Sequence, residues 1–319
     1  MKDNFDREIN YMRISVTDRC NQRCVYCMPA EGVASLGHDK ILSYEDIEKI
    51  VRAAVELGIS KFRLTGGEPL VRKGIVGLVE KLSDIPGVKD LSMTTNGRLL
   101  SQYARDLKKA GLKRINISID SFYEEKYAEI TRGGDINEVM DGLDAAVSEG
   151  LLPIKLNIVV MKGFNDDEIL NFAQLTLNEA FDIRFIELMP IGSAEVAEKY
   201  SMMPSSEIKD LLKGIQPVES SNEVAEYYQY PEAKGRIGFI SPISNHFCDS
   251  CNKVRLTADG KIKACLHTNV EYDLNDVLKN GSHEDLVKAL KEAISSKPDR
   301  HYLGDGAEPI TRNMNKIGG

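Results

Sequence analysis

Six cysteines fall into two groups of three: Cys20, Cys24 and Cys27 in DRCNQRCVYC, and Cys248, Cys251 and Cys265 in FCDSCNKVRLTADGKIKACLH. None is left over for routine core packing. The first spacing, C-x3-C-x2-C, places three thiols on one tight loop where all can face a single centre. A structural zinc site wants four protein ligands, and this loop is followed by no histidine before His38. A four-iron, four-sulfur (4Fe-4S) cluster on three thiolates leaves one iron without a protein ligand, open to a substrate or cosubstrate. Zinc completed from elsewhere in the chain is the competing reading. In the second group, LTADGKI reads as a hairpin with Ala258 and Asp259 in a type I turn and Gly260 left-handed. That register pairs Thr257 with Lys261 and Lys253 with Cys265, so Cys265 returns beside Cys251 on one strand face with Lys253 and Arg255. Three thiolates then adjoin two cations. A second open-iron cluster and a zinc site completed by His267 or His246 both fit that arrangement.

Other residues could serve a ligand held at such a centre. Gly66-Gly67-Glu68-Pro69 offers backbone that can approach closely and carbonyls that can accept from an ammonium. Arg13 and Lys155 begin or lie within apolar strand-like runs, where a cation is out of place unless it is used. The formal net charge of -8 argues against a general nucleic-acid or anionic membrane surface. An anionic ligand must therefore rely on local Lys and Arg.

The elements that position these groups follow a repeated pattern. Short β-branched runs stand at residues 13 to 17, 62 to 65, 91 to 95, 114 to 119, 154 to 160 and 183 to 188, with helical patterns between them. The first helix starts at Ser43, with Asp46 three residues on as an approximate capping box and Ile47, Ile50, Val51 and Ala54 on one stripe. Strands alternating with helices imply right-handed crossovers and a parallel sheet. Six units are too few for the eightfold barrel, which leaves an open, partial (βα)6 barrel or a doubly wound sheet. Either places the ligand site at the C-terminal strand ends, where the first cysteine group, Gly66-Gly67, Asn96-Gly97 and Met189-Pro190 all fall. Beyond residue 190 the pattern gives way to an acidic, Ser-rich connection. The expected division is 1 to 190 and 191 to 319.

At 319 residues with 42% hydrophobic content, the chain can bury a sizeable core. Its longest apolar runs fall far short of the roughly 18 residues of a membrane span. MKDNFDREIN carries neither an apolar stretch nor a twin arginine, so a cytoplasmic protein is expected. A reducing compartment favours metal ligation over disulfides for clustered cysteines.

C-x3-C-x2-C with an aromatic before the last cysteine, after a first strand, together with GGEP after a second, resembles the radical S-adenosylmethionine (SAM) superfamily. The whole of residues 11 to 319 resembles the molybdenum cofactor biosynthesis protein A family: YMRISVTDRCNQRCVYCMP, FRLTGGEPLVR, TTNG, INISIDS, KLN, RFIELMP, CDSCNKVRL and a terminal Gly-Gly occur in that order. The resemblance implies an α/β fold, a partial (βα)6 TIM-like barrel whose opening is covered by a C-terminal iron-sulfur domain. It implies two 4Fe-4S clusters, with SAM as cosubstrate and GTP as substrate. In that family a 5′-deoxyadenosyl radical takes the hydrogen on C3′ of GTP and C3′ attacks C8, giving 3′,8-cyclo-7,8-dihydro-GTP. By resemblance, Cys20, Cys24 and Cys27 hold the SAM cluster, with Tyr26, Gly67, Ser118 and Met189 at SAM. Cys248, Cys251 and Cys265 hold the second cluster, whose open iron takes the guanine. Arg13, Arg63, Thr94, Lys155, Lys253, Val254 and Arg255 contact GTP, and the tail residues Gly318 and Gly319 reach into the barrel. Asn252-Lys253-Val254-Arg255 departs from the family's frequent Asn-Arg-x-Arg, keeping the charge at 253 but losing the bidentate fork. An electron donor of unknown identity and a downstream cyclic pyranopterin monophosphate synthase are the implied partners, with no nucleic acid and no membrane; a homodimer is left open. A radical SAM enzyme acting on a peptide and a zinc-stabilised binding module are the competing readings, which metal analysis would separate.

Overall fold

A computed structural model describes residues 1 to 190, 199 to 219, 224 to 302 and 310 to 318. Six parallel strands form its centre in sequence order: β1 (Tyr11–Ser15), β2 (Lys61–Thr65), β3 (Asp90–Thr95), β4 (Arg114–Ser118), β5 (Ile154–Lys162) and β6 (Phe181–Glu187). Helices α1 (Tyr44–Glu56), α2 (Ile75–Ser83), α3 (Leu100–Lys109), α4 (Glu124–Thr131), α5 (Ile136–Ser148) and α6 (Ile169–Asn178) fill the crossovers. The first turn of α1 is capped as its sequence indicates, the Asp46 amide donating to Ser43 Oγ at 3.0 Å. Its Ile47, Ile50, Val51 and Ala54 are buried against the strands. Between α5 and the turn leading into α3 the fit is close enough that a Cβ on Gly142 would lie 2.3 Å from the Gly97 carbonyl oxygen.

The sheet does not close on itself. Instead β6 pairs in parallel with β10 (Arg236–Ile240), and β1 pairs in parallel with β11 (Lys253–Leu256). Beyond β10 the sheet continues antiparallel through β9 (Glu226–Gln229) to β8 (Gln216–Val218), and beyond β11 through β12 (Lys261–Lys263) to β13 (Tyr272–Asp273). A short β7 (Ser201–Met202) pairs with the end of β5. Residues beyond 190 thus extend both edges of the central sheet, a pairing with no local sequence signal. The hairpin register is the expected one: Arg255 faces Lys263 and Leu256 faces Ile262, the Thr257 amide donates to Lys261 O at 2.9 Å, and Gly260 has φ +82°. A terminal helix, His283–Ser295, starts at a Ser282/Asp285 capping box and packs on α1. No helix among the described residues is long and apolar enough to cross a membrane.

Candidate active site

Parallel strands point alternate side chains inward at matched heights, and registers decide which meet. Arg255 of β11 is level with Arg13 of β1, and Arg13 is level with Arg63 of β2. Three guanidiniums therefore stand abreast on adjacent strands. Further round, Thr94 is level with Asn116 and Asn116 with Lys155, while Ser118 is level with Asn157 and Asn157 with Arg184. All of these but Asn116 line a cavity of about 430 Å³ that runs from the strand starts at Tyr11, Lys61 and Arg114 to the C-terminal ends, together with all six cysteines. Tyr26, Gly67, Ser118, Met189, Arg13, Arg63, Thr94, Lys155, Lys253 and Arg255 all border it.

Val254 does not. Strand alternation turns it to the face opposite Lys253 and Arg255, where it is fully buried in the core. Its expected contact with GTP would therefore fall to its main chain, since the side chain packs in the core. Gly318 approaches from the C-terminal side: its carbonyl accepts from Arg255 Nη1, and a Cβ on it would come within 2.9 Å of Thr65 Cγ2. Gly319 lies outside the described residues.

The first cysteine loop is locked to the end of β2. Gly67 N donates to Thr17 O at 2.7 Å and Glu68 N to Arg19 O at 2.8 Å. A Cβ on Gly66 would lie 2.4 Å from Thr17 O, and one on Gly67 2.3 Å from Arg19 O. The two glycines are needed where backbone meets backbone, beneath the cysteines. Glu68 is a strut between strand ends, accepting from Leu70 N (2.9 Å), Thr95 Oγ1 (2.8 Å) and Asn96 N (2.7 Å). Burial raises its carboxyl to about 7 against those bonds. Tyr26 donates to Asp120 Oδ2 at 2.6 Å, and Asp120 also accepts from Val159 N at 2.8 Å. Burial pushes the Cys20 thiol up to about 11 and Cys27 to about 12, and holds Cys24 well above its ordinary value.

The second group has different surroundings. Arg7 donates to the Cys248 carbonyl at 2.9 Å and to Asp299 O at 2.7 Å, and pairs with Asp3 at 2.6 Å, strapping the N-terminal segment across the Cys248 loop. Burial works to raise the Cys251 thiol, but Lys297 and Lys253 outweigh it and hold the thiol below its ordinary value. Burial likewise lowers Lys253 to about 7 and Arg255 to about 9, with Arg13 adding to both. His267 places Nε2 3.3 Å from Met189 Sδ and its ring edge-on to His301 at 4.5 Å.

The donor sets suit iron-sulfur clusters. Thiolates are the form that binds metal, and the buried thiols of the first loop favour deprotonation only when a cation replaces their protons. Among the described residues, no three Cys, His, Asp or Glu side chains close around a single-ion site. The chamber between the two groups also carries unmet polar atoms: Tyr11 OH, Arg13 Nε, Thr94 Oγ1 and Asn157 Oδ1 are buried with no partner among the described residues. Such atoms point to a polar ligand. Arg184, Asn157, Tyr11 and Lys297 border the cavity and were missed in the sequence. Arg184 stands in an apolar strand as Arg13 does, so the signal that singled out Arg13 could have found it.

An open parallel barrel with a three-cysteine loop at its C-terminal rim defines the radical SAM class. Residues 14–176 match the family described as Radical SAM superfamily, and 181–303 match Molybdenum Cofactor Synthesis C. The structure of Streptococcus suis SuiB bound to S-adenosylmethionine shares the fold, at TM-score 0.63 and 14% identity over 91% of this chain and 68% of that one. Proteins named GTP 3′,8-cyclase from Alkaliphilus metalliredigens and Alkaliphilus oremlandii are 51% and 52% identical, covering 100% of each chain. The chain belongs to the radical SAM superfamily and, within it, to the GTP 3′,8-cyclase family.

Proposed function

We propose that this chain is a GTP 3′,8-cyclase, converting GTP to 3′,8-cyclo-7,8-dihydro-GTP as the first step of molybdenum cofactor biosynthesis. The observation that carries the reading is the row Arg255–Arg13–Arg63, level across three adjacent strands inside a chamber bordered by both cysteine groups. Like charges directly opposite one another destabilise a sheet. Enclosing them, with Arg63 and Arg255 buried, favours a polyanion over the row, and a triphosphate supplies charge and acceptors for charge-assisted bonds. Lys253, Lys155 and Thr94 complete the proposed triphosphate and ribose contacts.

Cys20, Cys24 and Cys27 are proposed to hold the first cluster, with Tyr26, Gly67, Ser118 and Met189 around SAM, and Cys248, Cys251 and Cys265 to hold the second, facing the guanine. When bound, the first cluster supplies the electron that releases a 5′-deoxyadenosyl radical from SAM. The chain's own contribution is positioning. Asp120 fixes the Tyr26 ring beside the first cysteines through its 2.6 Å bond. The arginine row sets where the triphosphate lies and therefore where C3′ lies. The enclosing strands and the tail keep water from a reactive carbon centre. In this reading residues 1 to 190 carry SAM cleavage and one side of the substrate site (Arg13, Arg63, Thr94 and Lys155), and 191 to 319 complete that site with the second cysteine group, Lys253 and Arg255. We place the protein in the cytoplasm, with a one-electron donor upstream and cyclic pyranopterin monophosphate synthase downstream. Anaerobic incubation with SAM, dithionite and GTP, read by mass spectrometry, tests the reaction. Cyclised GTP with 5′-deoxyadenosine is expected, and 5′-deoxyadenosine without any GTP-derived product would refute the assignment.

A further inference from the structure

Lys297 follows the terminal helix, where its amide caps Ile294 O, and its side chain runs back into the chamber wall with 3% of its surface exposed. Its Nζ donates to Lys253 O and to Ala264 O, both at 2.7 Å. Lys253 opens β11 two residues after Cys251, and Ala264 follows β12 immediately before Cys265. One ammonium thus staples the strand leaving one cysteine to the strand entering the next. Among the described residues its partners are these carbonyls and the Cys251 thiol, with no carboxylate. A buried ammonium without an acid is costly, so its compensating anion must be sought in the cysteine group. It acts electrostatically on both Cys251 and Cys265.

We propose that Lys297 is the fixed positive charge that poises the second cluster. Locked between the strands that carry Cys251 and Cys265, its ammonium offsets the thiolate charge and raises the cluster's reduction potential. The inference rests on the assignment of Cys248, Cys251 and Cys265 to a cluster. Reduction adds one electron and hence one negative charge, which a nearby fixed cation stabilises. Charge and hydrogen bonding around the ligand sulfurs are the protein's levers on such potentials. Lys297 is therefore a positioning residue, acting through the cluster ligands.

The test is a dithionite titration followed by electron paramagnetic resonance, in a background where Cys20, Cys24 and Cys27 are serine so that only the second group binds iron. Lys297→Met and Lys297→Gln should lower the midpoint, whereas Lys297→Arg, which keeps the charge, should hold it near that of the parent. In the converse background, with Cys248, Cys251 and Cys265 as serine, Lys297→Met should leave the first cluster's midpoint unchanged. An unchanged second midpoint in Lys297→Met, or an equal shift at both clusters, overturns the proposal. Loss of iron from both neutral variants, with iron retained in the arginine variant, also overturns it and makes the lysine a strut. If the parent carrying only the second group takes zinc in place of iron, the cluster assignment itself fails, and with it the inference.

Discussion

Each cysteine group has its own neighbours, so single substitutions should separate their roles. Cys24 lies on the loop bonded to the Gly66-Gly67 segment, whereas Cys251 lies beside Lys253 and Lys297. Cys24→Ser should abolish 5′-deoxyadenosine formation, and Cys251→Ser should keep some of it while losing cyclised product. Equal loss of 5′-deoxyadenosine in both variants, by chromatography, would contradict this division. Arg255 sits in the arginine row and also holds the Gly318 carbonyl. Arg255→Ala should weaken GTP binding by about 1.5 to 3 kcal/mol, the cost of a charge-assisted hydrogen bond. Lys253→Arg should bind GTP about as well as the parent, because the charge persists and a fork is gained. Calorimetry checks both, and unchanged affinity in Arg255→Ala would remove that side chain from the triphosphate site.

At the scale of elements, the tail is the piece whose placement depends on having no side chain. Gly318 has φ +78°, and a Cβ there would press on Thr65 Cγ2 at 2.9 Å and Ser15 Cβ at 3.2 Å. Asn315 anchors the same segment by donating to Asp18 O at 2.9 Å. Deleting Gly318 and Gly319 should leave iron content near normal and some 5′-deoxyadenosine formation, with almost no cyclised GTP. Full cyclase activity after the deletion would show the segment to be only an end. The strut at the end of β2 yields a prediction in pH. Glu68 ordinarily titrates at 4.5 and burial raises it to about 7 in the fold. The folded state holds the proton more tightly, so this group's stabilisation is complete below 4.5 and is lost as pH rises through about 7. Asp120, raised by burial from 3.8 to about 6, adds a similar loss ending lower. In calorimetry of the ligand-free protein, Tm should fall between about pH 4.5 and 7, and Glu68→Gln should flatten the upper part of that interval, above the range of Asp120. An equal fall in both proteins would sink the assignment to Glu68.

For the whole molecule, the local and the distant parted company. The cysteine spacings, the six strand-helix units, the capped start of α1 and the hairpin at Gly260 were legible because short-range pattern dictates each of them: ligand spacing, periodicity, capping and turn chemistry. The strand bounds moved by a residue or two, as with β1 beginning at Tyr11, because an end is set by what the neighbouring strand continues to pair with. The sequence by itself therefore determined which chemistry was available: two groups of thiols, glycines for a close approach, and cations in strands. Only the tertiary structure decided which residues meet. The pairing of β11 with β1 joins positions some 240 residues apart in the chain, and no local propensity encodes such a register. That pairing creates the row Arg255–Arg13–Arg63 and turns Val254 away from it. Packing of the terminal helix on α1 and β12 brings the Lys297 ammonium to the two carbonyls beside the second cysteine group. The physical reason is that a side chain's direction follows from its own strand's alternation, whereas its neighbours follow from long-range burial, which is resolved only when the whole sheet packs.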